Sequence, residues 1–178
     1  EYEDAQKNLN RALEENPNQP LAHYYLGDIL VTQNACTLAV PHLEKAISAY
    51  PGLARTYFLL GKCRVSAGEV QPAFEIFQKA LELDPNLAEA HAAKGLALYT
   101  SGRPAEASAA FEDAVRLGPD LYEAQMNLSA LYLDSSQAAE AIPLLKAAVE
   151  KKPQEFRPNY SLAEAYLEAE DTASARGQ

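Results

Sequence analysis

The sequence predicts an all-α protein in which pairs of antiparallel helices stack into a solenoid. Three observations lead to this prediction. Prolines recur at one constant interval, at Pro17, Pro51, Pro85, Pro119 and Pro153. Columns of alanine and of large apolar residues repeat at the same period, and their spacing within each period follows the faces of helices. Short breaks such as Ala67-Gly68-Glu69 interrupt the helical pattern, and they are long enough only for a tight turn.

The repeated unit is defined by placing each of these prolines at position 32 of 34, so that full units cover 20–53, 54–87, 88–121 and 122–155. Residues 1–19 then correspond to a second helix with its proline turn. Residues 156–178 correspond to a first helix and the first residues of a second, with an acidic turn near Glu170 between them. Because each full unit carries two helical patterns separated by a turn, we expect two antiparallel helices per unit, helix A and helix B.

Helix A is predicted from recurring residues at positions 4, 7, 8 and 11, whose spacing places them on one helix face. Position 8 has little or no side chain and holds Gly27, Gly61, Gly95, Ser129 and Ala163. A small residue there allows the backbone of a neighbouring helix to approach closely. We therefore expect position 8 to face helix B of the same unit.

Helix B is predicted from positions 20, 24, 27 and 28, which form a face of the same period. Positions 20 and 27 are alanine in every copy, and position 24 holds Leu9, Leu43, Phe77, Phe111 and Leu145. The alanines permit close approach, and the large residues fill the remaining space. The proline at position 32 ends helix B, because it lacks an N–H and clashes with the preceding turn.

The unit resembles that of the tetratricopeptide repeat family, in which Trp, Leu, Gly and Tyr in helix A precede Ala, Phe and Ala in helix B and a final Pro. The segment from Glu75 to Pro85 matches the end of the family's helix B closely. The resemblance covers the whole chain and implies a right-handed superhelix that acts as a non-catalytic protein–protein interaction scaffold. Position 4, typically Trp, departs from the family and reads His23, Tyr57, His91, Gln125 and Asn159. Because the last two are polar, we expect looser packing in the C-terminal units.

The resemblance assigns the concave inner surface to helix A, chiefly to positions 2, 5, 6, 9, 12 and 13. The predicted partner-binding residues on this surface are Tyr24, Tyr25, Asp28, Arg55, Phe58, Leu59, Lys62, Tyr99, Asn127 and Tyr160. The two tyrosines of the first unit, with Phe58 and Leu59, would offer apolar contact to a peptide or an amphipathic helix, and Lys62 would offer a charge. The alternative, that these side chains serve only the core between repeats, stays open.

No motif of catalysis, cofactor binding or metal binding stands out. The sequence has no glycine-rich phosphate loop, no Cys-x-x-Cys, no His-Glu-x-x-His and no Gly-x-Ser-x-Gly. His23 and His91 are interpreted as structural, because they lie two units apart and cannot share one metal. Cys36 and Cys63 are interpreted as two small buried thiols. We therefore predict a protein that is not an enzyme and uses no cofactor.

The charge balance restricts the partners. Lys and Arg total 15 and Asp and Glu total 25, so the formal net charge is −10. Nucleic acids and anionic membrane surfaces are disfavoured, because both require clustered basic residues. No apolar run approaches the roughly 18–20 residues that span a bilayer, so no membrane insertion is expected. We expect a soluble protein, with the cytoplasm favoured, and a protein or peptide partner that is weakly steered if it is basic.

The ends of the predicted array lack the polar capping helices that repeat arrays usually carry. We therefore expect a segment of a longer array or of a larger protein, with end-to-end self-association when it is isolated. Two other functions stay open. The chain would then be a substrate-selecting or assembly segment of a larger enzyme or secretion complex, or a rigid spacer.

Overall fold

The computed structural model describes residues 2–176, and it describes side chains for residues 2–170. This part of the chain contains ten α-helices and no strand. In chain order they are α1 (Tyr2–Glu15), α2 (Pro20–Thr32), α3 (Cys36–Ala49), α4 (Ala54–Ser66), α5 (Val70–Leu83), α6 (Ala88–Thr100), α7 (Pro104–Leu117), α8 (Tyr122–Asp134), α9 (Ala138–Lys151) and α10 (Phe156–Arg176). None of the described helices is long and apolar enough to cross a membrane.

The helices alternate as the repeat predicts. The even-numbered helices begin at the first position of each unit, at residues 20, 54, 88, 122 and 156, and each is a helix A. The odd-numbered helices recur at the same interval, beginning at residues 2, 36, 70, 104 and 138, and each is a helix B. Each helix packs on the next one along the chain, which confirms the predicted stack of helix pairs.

The two sets of helices lie on different sides of the stack. Each helix A also contacts the helix A of the next repeat, as in α2 with α4 and α4 with α6. Within the described part of the chain, no helix B contacts the helix B of the next repeat. Because the helix A set is packed more closely along the stack, it forms the inner side of the curve, and the helix B set forms the outer side.

In each full unit, the hairpin turn from helix A to helix B contains one residue in the left-handed backbone region. Position 15 of successive units has φ values of 59° at Asn34, 79° at Gly68, 74° at Gly102 and 55° at Ser136. The N–H of the next residue donates to a carbonyl in the last turn of helix A and closes the hairpin. For example, Glu69 N–H donates to the Arg64 carbonyl at 2.9 Å. This left-handed ending satisfies the last carbonyls of helix A and reverses the chain within a few residues.

The last unit does not form the turn that we predicted near Glu170. Instead, α10 continues without interruption from Phe156 to Arg176. Position 15 is Glu170 here, and neither a glycine nor an asparagine supplies the left-handed residue. The surrounding residues are mostly alanine and glutamate, which favour the helix. The division of residues 156–178 into a helix A and the start of a helix B is therefore wrong.

Position 8 faces helix B of the same repeat, as the pattern predicts, but in the three repeats with glycine its nearest neighbour is the large residue at position 24 rather than the alanines at positions 20 and 27. A Cβ atom added at Gly27 would lie 2.5 Å from Cδ2 of Leu43, and one added at Gly95 would lie 2.8 Å from Cδ1 of Phe111. Both partners are fully buried, at 0% and 1% exposure. The absence of a side chain at position 8 therefore sets how closely the two helices pack.

The polar residues at position 4 have partners that the sequence did not reveal. Side-chain nitrogens there donate to the carbonyl of the proline six residues earlier, at 2.7 Å from Gln125 to Pro119 and at 3.0 Å from Asn159 to Pro153. His23 makes the same bond to Pro17 at 2.9 Å. Gln125 is also only 5% exposed. The prediction of looser packing at Gln125 is therefore wrong, because its amide ties helix A to the preceding turn.

A disulfide joins α3 to α4. Its cysteines are Cys36, the first residue of α3, and Cys63 of α4, and their Cα atoms are 5.1 Å apart. The prediction of two separate thiols is therefore wrong. The cysteines occupy position 17 of one unit and position 10 of the next, and the equivalent residues of the following seam are Val70 and Ala97. The disulfide thus replaces apolar packing between neighbouring repeats.

Candidate peptide-binding groove

The inner face of the stack carries the residues that we predicted to bind a partner. Tyr25, Tyr99 and Tyr160 are roughly half exposed, at 51%, 45% and 57%. Arg55 and Lys62 are exposed, and Tyr24, Asp28 and Asn127 are partly buried. These side chains therefore lie along the inner face of the five A helices, which are α2, α4, α6, α8 and α10.

Leu59 and Phe58 differ from the other predicted residues because they belong to the core. Leu59 is 3% exposed and Phe58 is 7% exposed, and both pack in the same cluster as Phe77. Leu59 therefore serves packing between repeats, and the apolar contact that we expected from it is not available to a partner. Phe58 keeps a small surface, and that surface faces a cavity.

The cavity lies on the inner face between α4, α6 and α8 and has a volume of about 420 Å³. This volume falls in the range of roughly 300–1,000 Å³ that is typical of ligand sites. The residues that form its walls include Phe58, Lys62, Phe77, Ala92, Ala93, Leu96, Glu123 and Asn127. The structure thus brings Phe58, Lys62 and Asn127 together, whereas the tyrosines of α2 and Tyr160 of α10 lie outside this cavity.

Small residues on α6 create the cavity. Ala92 and Ala93 occupy positions 5 and 6 of their unit. The other units carry at least one larger side chain at these positions, namely Tyr24 and Tyr25, Phe58 and Leu59, Met126 and Asn127, and Tyr160 and Ser161. The two alanines therefore leave an empty space on α6 that the neighbouring helices border. Our sequence analysis missed them, although a pair of alanines in a column of large residues is a readable signal.

A polar network crosses the groove beside this cavity. Arg55 of α4 donates to Glu89 of α6 at 3.0 Å. Burial alone would lower the pKa of the Arg55 guanidinium, but the hydrogen bond to Glu89 and the charge of that carboxylate, together with Tyr24 and Asp28, raise the pKa. Burial, followed by the nearby charge of Asp28, also raises the pKa of Tyr24, and the nearby Arg55 opposes this rise. The charge of Arg55 is therefore already engaged within the protein.

Lys62 and Glu123 are the charged residues of the cavity rim that remain available. The Lys62 ammonium lies 5.7 Å from the ring centroid of Phe58, within the range of a cation–π contact. Neither Lys62 nor Glu123 forms an ion pair among the described side chains, although Glu123 acts on Lys152 electrostatically at longer range. Both side chains are exposed. They can therefore meet the charges of a bound partner.

Two other predicted residues take part in contacts elsewhere along the groove. The Tyr99 hydroxyl donates to Asp134 at 3.2 Å and links α6 to α8. The ring of Tyr160 stacks on that of Phe156, with centroids 5.6 Å apart, and Phe156 is 79% exposed. The aromatic surface of the inner face thus continues onto α10.

The chemistry of the groove suits noncovalent binding. Apolar walls with a few polar groups at the rim are typical of sites that hold a side chain and orient the segment around it. Among the described residues, no group of three or more histidines, cysteines or acidic residues is placed to hold a metal ion. His23 instead contacts His42, with Nδ1 atoms 2.9 Å apart.

Several solved structures have the same fold. TTC0263 of Thermus thermophilus is 25% identical with a TM-score of 0.73, over 93% of this chain and 91% of that one. The pilF protein of Pseudomonas aeruginosa is 22% identical with a TM-score of 0.80, over 97% and 80%. YrrB, a tetratricopeptide repeat protein with an unusual peptide-binding site, is 24% identical with a TM-score of 0.66, over 90% and 82%. No curated protein matches the chain.

Family models match the whole sequence except residues 88–91. One model described as tetratricopeptide repeat matches residues 1–54, 92–156 and 130–178, and a second with the same description matches residues 54–87. Their coverage agrees with the helix pairs that recur once in every unit. The chain therefore belongs to the tetratricopeptide repeat family, whose members are typically protein–protein interaction scaffolds.

Proposed function

We propose that the chain is a non-catalytic interaction module that binds a peptide segment of a partner protein in its inner groove. An apolar side chain of the partner would occupy the cavity between α4, α6 and α8. The observation that carries this proposal is the cavity of about 420 Å³, with apolar walls and a polar rim, on the face where the inner helices meet. Tyr24, Tyr25, Tyr99, Asn127 and Tyr160 would extend the contact along the groove.

The Ala93→Leu substitution tests this proposal. The added side chain should fill the cavity from the α6 wall without disturbing the packing of the repeats. We expect peptides selected by the unmodified protein from a phage-displayed random library to bind the variant at least about tenfold more weakly, which corresponds to about 1.4 kcal/mol. Fluorescence anisotropy with the labelled peptides measures this change.

The matched control is Ala109→Leu, which places the same side chain on an exposed site of the outer helix α7. It should leave the affinity unchanged. Equal binding by both variants would contradict an anchor in the cavity. A library that enriches no peptide would instead support the rigid-spacer function.

The disulfide is relevant to the cellular compartment of the protein. Disulfides persist in oxidising compartments and are rare in the cytosol. The bond between Cys36 and Cys63 therefore favours an oxidising compartment over the cytoplasm that the composition suggested. This placement is compatible with the second candidate function, an assembly segment of a secretion complex. The full gene would test that candidate by revealing any catalytic or membrane segment.

End-to-end self-association stays a prediction. Ala5, Leu9 and Ala12 of α1 are only partly buried, whereas the same columns are fully buried in α5. Sedimentation of the isolated chain as a strict monomer at high concentration would contradict it.

A further inference from the structure

The cavity has charges of opposite sign on opposite walls. Lys62 belongs to α4 and Glu123 to α8, and both border the same space. Between them lies α6, which contacts α4 on one side and α8 on the other, whereas α4 and α8 do not contact each other. Lys62 and Glu123 are therefore separated along the axis of the helix stack.

These two charges differ from that of Glu89 at the rim because neither takes part in an ion pair within residues 2–170. Glu89 also borders the cavity, but its carboxylate accepts the hydrogen bond from Arg55 at 3.0 Å. Lys62 lies over the ring of Phe58, and Glu123 has no cation in ion-pair contact within residues 2–170. A partner segment crossing the cavity thus meets a positive group on the α4 side and a negative group on the α8 side.

We propose that the groove binds a peptide in which an apolar anchor stands between an acidic residue and a basic residue, with the acidic residue at Lys62 and the basic residue at Glu123. This inference rests on the proposed function and adds the chemistry and the direction of the partner. Asn127, on the same wall as Glu123, supplies an amide that can donate to and accept from the peptide backbone. Such rim charges set specificity and orientation more than affinity.

Selection from a phage-displayed random peptide library tests the inference. The unmodified protein should enrich peptides with an apolar residue between an acidic and a basic one, in one fixed order. The double variant Lys62→Glu, Glu123→Lys should enrich the opposite order. Each charge mismatch should weaken a selected peptide by up to about fivefold, since exposed ion pairs contribute at most about 1 kcal/mol. This preference should diminish as salt is raised.

The control variant Lys45→Glu, Glu75→Lys reverses two exposed charges on the outer helices α3 and α5, and it should retain the original order. Circular dichroism and thermal melting verify that each variant is folded. Enriched peptides without an ordered charge pattern, or an unchanged order in the Lys62→Glu, Glu123→Lys variant, would overturn this inference while leaving groove binding intact. The absence of any enrichment, or enriched peptides whose binding Ala93→Leu does not weaken, would overturn groove binding and this inference with it.

Discussion

Glycine at position 8 determines how closely the two helices of one repeat approach each other. At Gly95 an added Cβ would lie 2.8 Å from two ring atoms of Phe111, and that ring is 1% exposed. The unit at 122–155 tolerates Ser129 at the same position, where the facing residue is Leu145 instead of phenylalanine. Leucine at position 24 thus occurs with either serine or glycine at position 8, since Leu43 faces Gly27.

We expect Gly95→Ala to lower the free energy of unfolding. Overpacking costs about 1–3 kcal/mol, and the higher helix propensity of alanine returns up to about 1 kcal/mol. Denaturant unfolding measures the difference. Gly52→Ala is the control, because no atom lies within 4 Å of the added Cβ, and it should leave stability nearly unchanged. The pair Gly95→Ser, Phe111→Leu should recover part of the loss, because it reproduces Ser129 and Leu145.

The paired histidines are a second feature at this scale. His23 Nε2 lies 2.9 Å from the Pro17 carbonyl, which can only accept, so this nitrogen carries a proton. In neutral His23 the Nδ1 atom is therefore an acceptor, and His42 Nδ1–H donates to it across 2.9 Å. Burial, then the proximity of His23 and Lys45, lowers the pKa of His42 below its usual value of 6.5.

We expect this pair to make stability depend on pH. Below pH 6.5 the unfolded chain binds a proton at His42 more readily than the folded protein does, because folding lowers the pKa of His42. The contribution of His42 is therefore present above that pH and is lost as the pH falls towards the lower folded pKa. Unfolding midpoints measured from pH 7.5 to 5.5 should decrease less in His42→Gln than in the unmodified protein. Parallel pH profiles for the two proteins would contradict this assignment.

At the scale of helices, position 15 is the residue at which each hairpin turns. Asn34, Gly68 and Gly102 have residue types that adopt the left-handed region readily, and Ser136 adopts it without that advantage. The hairpins could therefore be predicted from the sequence, because the signal lies within a few residues. The period of the repeat predicted a turn at Glu170 as well, but glutamate lacks the backbone freedom of glycine, and α10 continues through it.

The disulfide is a contact between helices that periodicity alone did not reveal. Cys36 and Cys63 are 27 residues apart in sequence, and this spacing matches neither the helical turn nor the repeat. Their proximity follows only once consecutive units are stacked, so that position 17 of one meets position 10 of the next. Contacts of this kind require the register between repeats, which single-unit patterns do not contain.

We expect reduction of this bond to destabilise the first two full repeats. Cross-links that close loops of this size typically contribute about 2–4 kcal/mol to the free energy of unfolding. A thiol reductant should therefore lower the denaturation midpoint of the unmodified protein. The variant Cys36→Val, Cys63→Ala, which reproduces the apolar pair Val70 and Ala97, should unfold identically with and without reductant. An unmodified protein that is insensitive to reductant would contradict a structural role for the disulfide.

At the scale of the whole molecule, the sequence predicted the fold more completely than the site. The repeat length and the division into helix pairs follow from columns that recur in every unit, whereas the assignment of the inner face came from the resemblance to the family. Phe58, Lys62 and Asn127 were among the predicted groove residues, and all three border the cavity. Ala92 and Ala93 were overlooked because a cavity arises from missing side-chain volume, whereas patterns draw attention to large or charged residues.

The difference between the two sides of the stack has a mechanical consequence. Inner helices touch their counterparts in adjacent repeats, and outer helices within the described chain do not. Twisting or stretching the superhelix therefore breaks no direct contact between neighbouring outer helices, whereas it would have to change contacts between neighbouring inner helices. The convex side of the superhelix would therefore deform more readily than the concave side. The inner surface would keep its dimensions while the superhelical pitch changes.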